Sequence, residues 1–166
     1  MTSPVRVPPP IRPVFEYFWV VALAVTAINY IKARRALDAA SLSPDGAADG
    51  HRYLRTFVVM SAIPWVVMGL GQQRGDTPTV LHYLRPQDGN PFVFAWLAAI
   101  FLQACVHAWW VLFADGAAKI EALGLWPAIG FGTPPTWVIK LMAGAGPFII
   151  LLWAGLASMM NIQVPS

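Results

Sequence analysis

Gln103 and His107 are the residues best placed to do chemistry. They stand four apart in Gly89–Ala114, a stretch whose only other ionisable side chain is Cys105. Four residues of helix bring both side chains to one face. An imidazole beside an amide can relay a proton, ligate a cofactor or contact a quinone. The same pair can also serve as structural glue, a hydrogen bond between helices contributing about 0.6 kcal/mol on average. Stepping back by fours from Gln103 reaches Ala99 and Ala95, so the strip is small at one end and polar at the other. Polar groups at membrane depth turn toward other helices or a wet cavity, away from lipid. Ala22, Thr26, Asn29 and Ala33 form a second small-and-polar face. The four candidates of an intramembrane polar face are therefore Gln103, His107, Asn29 and Thr26. If the two faces meet, Asn29 and His107 are expected at matching depth.

Other chemistries find less support. Bis-histidine haem ligation needs two histidines on facing helices at one depth. Of His51, His82 and His107, only the last falls inside an apolar stretch. No His, Cys or carboxylate cluster has the spacing of a metal site. No cofactor, metal or catalytic residue is assigned. One cysteine excludes an intramolecular disulfide and any Cys-x-x-Cys motif, and Cys105 reads as a small packing residue. Glu16, shallow in the first apolar segment, is expected to reach water and to favour the positive end of a helix. Asp76, Asp88 and Asp115 read as loop or cap residues. The nucleophile-elbow and phosphate-loop glycine motifs are missing from the sequence.

The elements that must carry these residues are four apolar stretches. Apart from Glu16, Pro13–Ile31 has no acid or base; Thr56–Gln73 has none, and Leu141 to the carboxy terminus has none. Each suffices for a helix of roughly 20 residues across a hydrocarbon core about 30 Å thick. Of 166 residues, 57% are hydrophobic and 11% charged. Soluble domains carry about 25% charged residues, so lipid must solvate much of this surface. The fold class expected is an all-α polytopic integral membrane protein, a four-transmembrane-helix bundle with spans at 14–34, 53–71, 91–113 and 136–159. A mobile proline-rich segment (1–12) precedes this single domain (13–160), and a short tail (161–166) follows.

Prolines and caps locate the helix starts. Pro13 suits a first turn. Ser43-Pro44-Asp45-Gly46 reads as a turn closing the first helix, with Asp49 capping the second. Asn90-Pro91 starts the third and Thr133-Pro134-Pro135 the fourth. Pro64 and Gly144-Ala145-Gly146-Pro147 are expected bends. Val80–Leu84 reads as a helical turn, and Leu123, Leu125 and Trp126 as interfacial. Trp19, Trp109, Trp110, Trp126 and Trp137 fall near span ends, whereas Trp65, Trp96 and Trp153 are expected between helices.

Basic residues orient the chain. With the amino terminus outside, the inner side holds Lys32, Arg34, Arg35, Arg52, Arg55, Lys119 and Lys140, against Arg6, Arg12, Arg74 and Arg85 outside. Both termini are thus expected on the outer side of a bacterial inner (plasma) membrane. Lys140 can reach the interface along its flexible stem. The cations gather at helix ends, not along one face, so nucleic acid is not an expected partner. The partners expected are the lipid bilayer and other membrane subunits or further copies of the chain. The resulting expectation is a non-catalytic accessory or assembly subunit of a larger membrane complex. One alternative is a small oligomeric transporter or channel using the Gln103/His107 face. Another is a membrane enzyme acting on a lipid or quinone.

Overall fold

Helix starts follow the proline-and-cap chemistry of the chain. A computed structural model describes residues 12–39, 43–122 and 134–159. Its helices are α1 (Arg12–Glu16), α2 (Phe18–Ala39), α3 (Pro44–Gln73), α4 (Pro91–Phe113), α5 (Gly116–Ala122) and α6 (Thr136–Met159). Two 3₁₀ turns, Val80–Leu84 and Pro86–Asp88, lie between α3 and α4. No strand occurs among the described residues. The chain is all-α, as expected. The amino-terminal residues before Arg12, Leu123, Leu125, Trp126, Thr133 and the tail 161–166 lie outside the described residues.

α3 starts earlier than expected. Ser43 is extended (φ −62°, ψ 155°), and its hydroxyl accepts the Gly46 N–H at 3.2 Å. Pro44 takes the first helical position and Asp45 the first turn. The motif taken for a turn is a helix start, and Asp49 lies inside the helix. α4 begins where expected: Asn90 Oδ1 accepts the Phe92 N–H at 2.9 Å, and its Nδ2 donates to the Asp76 carbonyl at 2.8 Å. α6 is capped from α5, since the Glu121 carboxylate accepts both the Thr136 N–H (3.1 Å) and its hydroxyl. α3 continues through Pro64 and α6 through Pro147.

Among the described residues three helices, not four, are long and apolar enough to cross a membrane: α3, α4 and α6. The first expected span is divided at Tyr17. There the Val20 N–H turns to the Tyr17 carbonyl at 2.9 Å. The Glu16 carbonyl instead lies 2.6 Å from the Gln72 amide, which in the orientation that donates to it also accepts the Val80 N–H at 3.0 Å. Glu16 thus ends α1; it does not occupy the first turn of a long helix. What remains before Lys32 is Phe18–Ile31, roughly 21 Å at 1.5 Å per residue, short of a 30 Å core.

The helices pair in chain order, each antiparallel to the one before. α2 packs on α3, α3 on α4, and α4 on α6. Along the first pair, Leu37 sits on Gly50 and Leu54, and Trp19 covers Gly69, where an added Cβ would fall 2.8 Å from the indole. On the far side, Val111 of α4 meets Ile139 and Ala143 of α6, with Ala117 and Ile120 of α5 in the same cluster. Trp96 and Trp153 meet edge to face at 5.9 Å. The outer faces carry exposed Val25 and Ile28 on α2, Val59 and Ile63 on α3, Leu102 on α4, and Phe148 and Leu152 on α6. Such a surface belongs in lipid.

The connection from α3 to α4 folds back onto this row. Tyr83 is fully buried; its hydroxyl donates to the Met68 carbonyl at 3.0 Å and accepts from Thr77 at 2.9 Å. Gly71 passes directly beneath. A Cβ there would fall 2.7 Å from the Thr77 hydroxyl and 3.0 Å from Phe92 Cβ, so only glycine fits. Met68, Tyr83, Val93 and Trp96 form one buried cluster at this end of the α3–α4 contact. His82 lies in the first 3₁₀ turn, where Nδ1 accepts the Thr79 N–H at 3.3 Å. At the opposite end of the row, Lys32, Arg34, Arg35, Arg52, Arg55, Lys119 and Lys140 share the side on which α2 and α4 end and α3 and α6 begin.

Candidate functional site

The polar residues picked out by spacing divide between two places. Gln103 Nε2 donates to Ser61 Oγ on α3 at 3.1 Å. His107, one turn further along the same face, lies with its ring 6.0 Å from Phe57 and 6.2 Å from Trp110. Both belong to α4 and turn toward α3. Thr26 spends its hydroxyl on its own helix, donating to the Ala22 carbonyl at 2.9 Å. Asn29 is exposed. The meeting of the first and third apolar helices does not occur in the expected form, because α3 packs between them. Ser61 of α3 is the partner of Gln103, and the expected pairing of Asn29 with His107 is not seen among the described residues.

Gln103 and His107 border a cavity of about 540 Å³ between the first half of α3, the second half of α4, and α5. Its residues change with depth. Arg52 of α3 and Lys119 of α5, both exposed, line the mouth, and Asp49 of α3 lines it with them. Tyr53 and Trp110 form the next layer, their rings stacked at 4.4 Å and 17°. An offset aromatic pair of this kind is worth about 0.5–1.5 kcal/mol beyond its burial. Phe57, His107 and Val106 lie about a turn deeper, and Met60 and Gln103 close the inner end. The wall grades from charged to aromatic to largely apolar within two to three helical turns, with the Gln103 amide, bonded to Ser61, at its inner end.

Local sequence builds this wall. Asp49, Tyr53, Phe57 and Met60 are spaced by four, four and three on α3, and Gln103, His107 and Trp110 by four and three on α4. Each series follows one helical face. The first was overlooked because most of its members are ordinary core or interface residues taken singly. Lys119 could not be added from sequence, as α5 was not expected to be a helix. Its position follows from Gly116, which fits under Trp110 where an added Cβ would fall 2.6 Å from the ring, and from Asp115, which makes the turn out of α4 at φ 56°. Asp and Asn are the non-glycine residues that best tolerate this left-handed conformation.

The charges at the mouth are not consumed by the protein. Arg34 pairs with Asp38 at 3.8 Å, and His51 approaches the same carboxylate at 3.1 Å. Arg74 pairs with Asp76 and Arg85 with Asp88 at the opposite end of the row. Arg52 and Lys119 make no ion pair among the described residues. The His107 ring nitrogens likewise have no hydrogen-bond partner there. No group of three or more His, Cys, Asp or Glu able to hold a metal ion occurs among the described residues. Cys105 is a free, half-buried thiol. No protein-family model, curated protein or solved structure matches this chain.

Proposed function

We propose that this chain is a non-catalytic integral membrane protein, an accessory or assembly subunit that completes its apolar surface against other membrane proteins. The observation that carries the reading is the open row. Each long helix packs on its chain neighbours and leaves much of its apolar surface outside, α6 most of all. Phe148, Ile149 and Leu152 of α6 are 74%, 62% and 65% exposed. Association between membrane helices rests on van der Waals packing and a few interhelical hydrogen bonds. A row with two open flanks offers more such surface than a closed bundle.

α2 belongs to the membrane in this reading, giving four crossings and both termini on the outer side. Its apolar run is short, but it lies beside α3 from Leu37 at Gly50 to Trp19 at Gly69. A neighbour held along that length shares the depth of the helix it covers. Lys32, Arg34 and Arg35 can carry their charges to the inner interface on flexible stems, in accord with the basic residues gathered at that end.

Purification from native membranes in a mild detergent tests the proposal. The expected result is a stoichiometric assembly with other membrane subunits. Leu152→Trp on α6 should disrupt it while the thermal midpoint of the isolated chain stays within a few degrees of wild type. His107→Ala should leave any proton or solute flux unaltered. A chain that purifies as a homo-oligomer and conducts in proteoliposomes in a His107-dependent way would favour a transporter. Turnover of a lipid or quinone by the isolated chain would favour an enzyme.

A further inference from the structure

We propose that the cavity between α3, α4 and α5 is a binding site for one anionic phospholipid. Its phosphate would lie between Arg52 and Lys119, and one acyl chain would run inward along Phe57, Val106 and Met60. The inference goes beyond the accessory-subunit reading and does not depend on it.

Three observations converge. The first is the graded wall. A phospholipid passes from anionic phosphate, through polar ester carbonyls, to hydrocarbon. The cavity passes from two cations, through a stacked tyrosine and tryptophan, to aliphatic and aromatic side chains. The second is unspent polarity. Arg52 and Lys119 have no ion pair among the described residues, although three arginine–carboxylate pairs form at the two ends of the row. The Asp49 carboxylate shares the mouth and leaves it with two cations against one anion. Phosphate is the charge that such a mouth lacks, and basic pockets between membrane helices recognise anionic headgroups for this reason.

The third observation is depth. Phe57 lies five residues into α3 from Arg52, about 7.5 Å along the helix axis. His107 stands at the level of Phe57, its ring nitrogens without a hydrogen-bond partner among the described residues. That is about the distance separating the phosphate of a phospholipid from its ester carbonyls. A neutral imidazole can donate one hydrogen bond to such a carbonyl. The volume, about 540 Å³, fits a headgroup and the upper part of one chain. The rest of the molecule would continue over the exposed side of α4, where Leu102 is 61% exposed and Val106 46%.

The occupant matters. A quinone would need no cations, and a free phosphate would need none of the apolar wall. A fatty acid would meet both, but it has no ester carbonyl to place at His107.

Native mass spectrometry of the full chain, released from nanodiscs with equal phosphatidylglycerol and phosphatidylcholine, tests the site. One phosphatidylglycerol should be retained per chain, favoured about fivefold or more over phosphatidylcholine. The double variant Arg52→Gln, Lys119→Gln should bring that ratio close to one. Lys32→Gln with Arg35→Gln, two cations at the same end but outside the cavity, should leave it unchanged. Val106→Trp, a substitution on an exposed position that fills the apolar wall, should lower retention of both lipids. Equal retention of the two lipids by the wild type overturns the proposal. So does an unchanged ratio in the cavity variant, an equal loss in the control variant, or extraction of a quinone or fatty acid in place of a phospholipid.

Discussion

The two halves of the α3–α4 contact use the same pair of helices and reach opposite results. In one half, Met68, Tyr83, Val93 and Trp96 close against one another, and the Tyr83 hydroxyl is satisfied on both its donor and acceptor sides. In the other, Tyr53 stacks on Trp110, Gln103 reaches Ser61, and a cavity remains beside them. What separates the halves is the chain that covers them. The α3–α4 connection sends Tyr83 and Thr77 down onto α3. At the other end α5 is seven residues long and packs with α4 and α6, bringing only its Lys119 flank to the mouth. A helix pair is thus a frame, and the connecting segments decide whether the frame is sealed or left open to a ligand.

Two methionines on one helix test this contrast with the largest expected effect. Met68→Ala empties a fully buried position and should cost about 2–5 kcal/mol in detergent unfolding. Met60→Ala enlarges a space that is already open and should cost less than about 1 kcal/mol. Equal losses would mean that the two halves are packed alike. Tyr83→Phe comes next: it strands the Thr77 hydroxyl in a buried setting and should cost about 1–3 kcal/mol.

The same variant has a pH signature. Burial pushes the Tyr83 phenol above its ordinary value of 10.0, while the Thr77 hydrogen bond pulls it down and the Asp76 charge pushes it up. The folded state therefore holds this proton more tightly than the unfolded state. Stability from the neutral phenol is complete below pH 10.0 and is lost as pH rises through the folded-state value. Wild-type thermal midpoints should fall on that alkaline limb, and Tyr83→Phe should flatten it. An identical alkaline fall in both proteins would remove Tyr83 from the account. Gln103→Leu has the smallest effect, about 0.6 kcal/mol, and a double-mutant cycle with Ser61→Ala should recover most of it as coupling. Zero coupling would leave the open half held by aromatic contacts alone.

Much of the architecture was legible because charges, caps and prolines are local signals. α4 begins at Pro91 with Asn90 capping as read, and α6 runs Thr136–Met159, just after the Pro134-Pro135 pair. Ser43-Pro44-Asp45 was misread although it obeys the same rule, because proline after serine signals a turn as readily as a helix start. The break at Tyr17 could not be read, since the group facing the Glu16 carbonyl there, the Gln72 amide, comes from far along the chain. The Gln103/His107 face was legible as a face, but its partner was not. Periodicity says which residues share a side of a helix and is silent on which helix lies opposite. Ser61, Arg52 and Lys119 came into view only once α3 and α5 had positions.

The row arrangement bears on how the chain acquires its structure. Every extensive pairing joins successive long helices: α2 with α3, α3 with α4, and α4 with α6, with only the short α5 between the last two. Contacts of short sequence separation cost little loop-closure entropy and form early. Each long helix therefore meets its main partner as soon as the next long helix is synthesised. Two contacts are exceptions: α1 against the Val80–Leu84 turn, across α2 and α3, and the clasp of α6 against the Pro86–Asp88 turn, across the whole length of α4. Assembly by successive hairpins leaves that clasp for last, so the final step of folding joins the carboxy-terminal helix to the connection that seals the closed half.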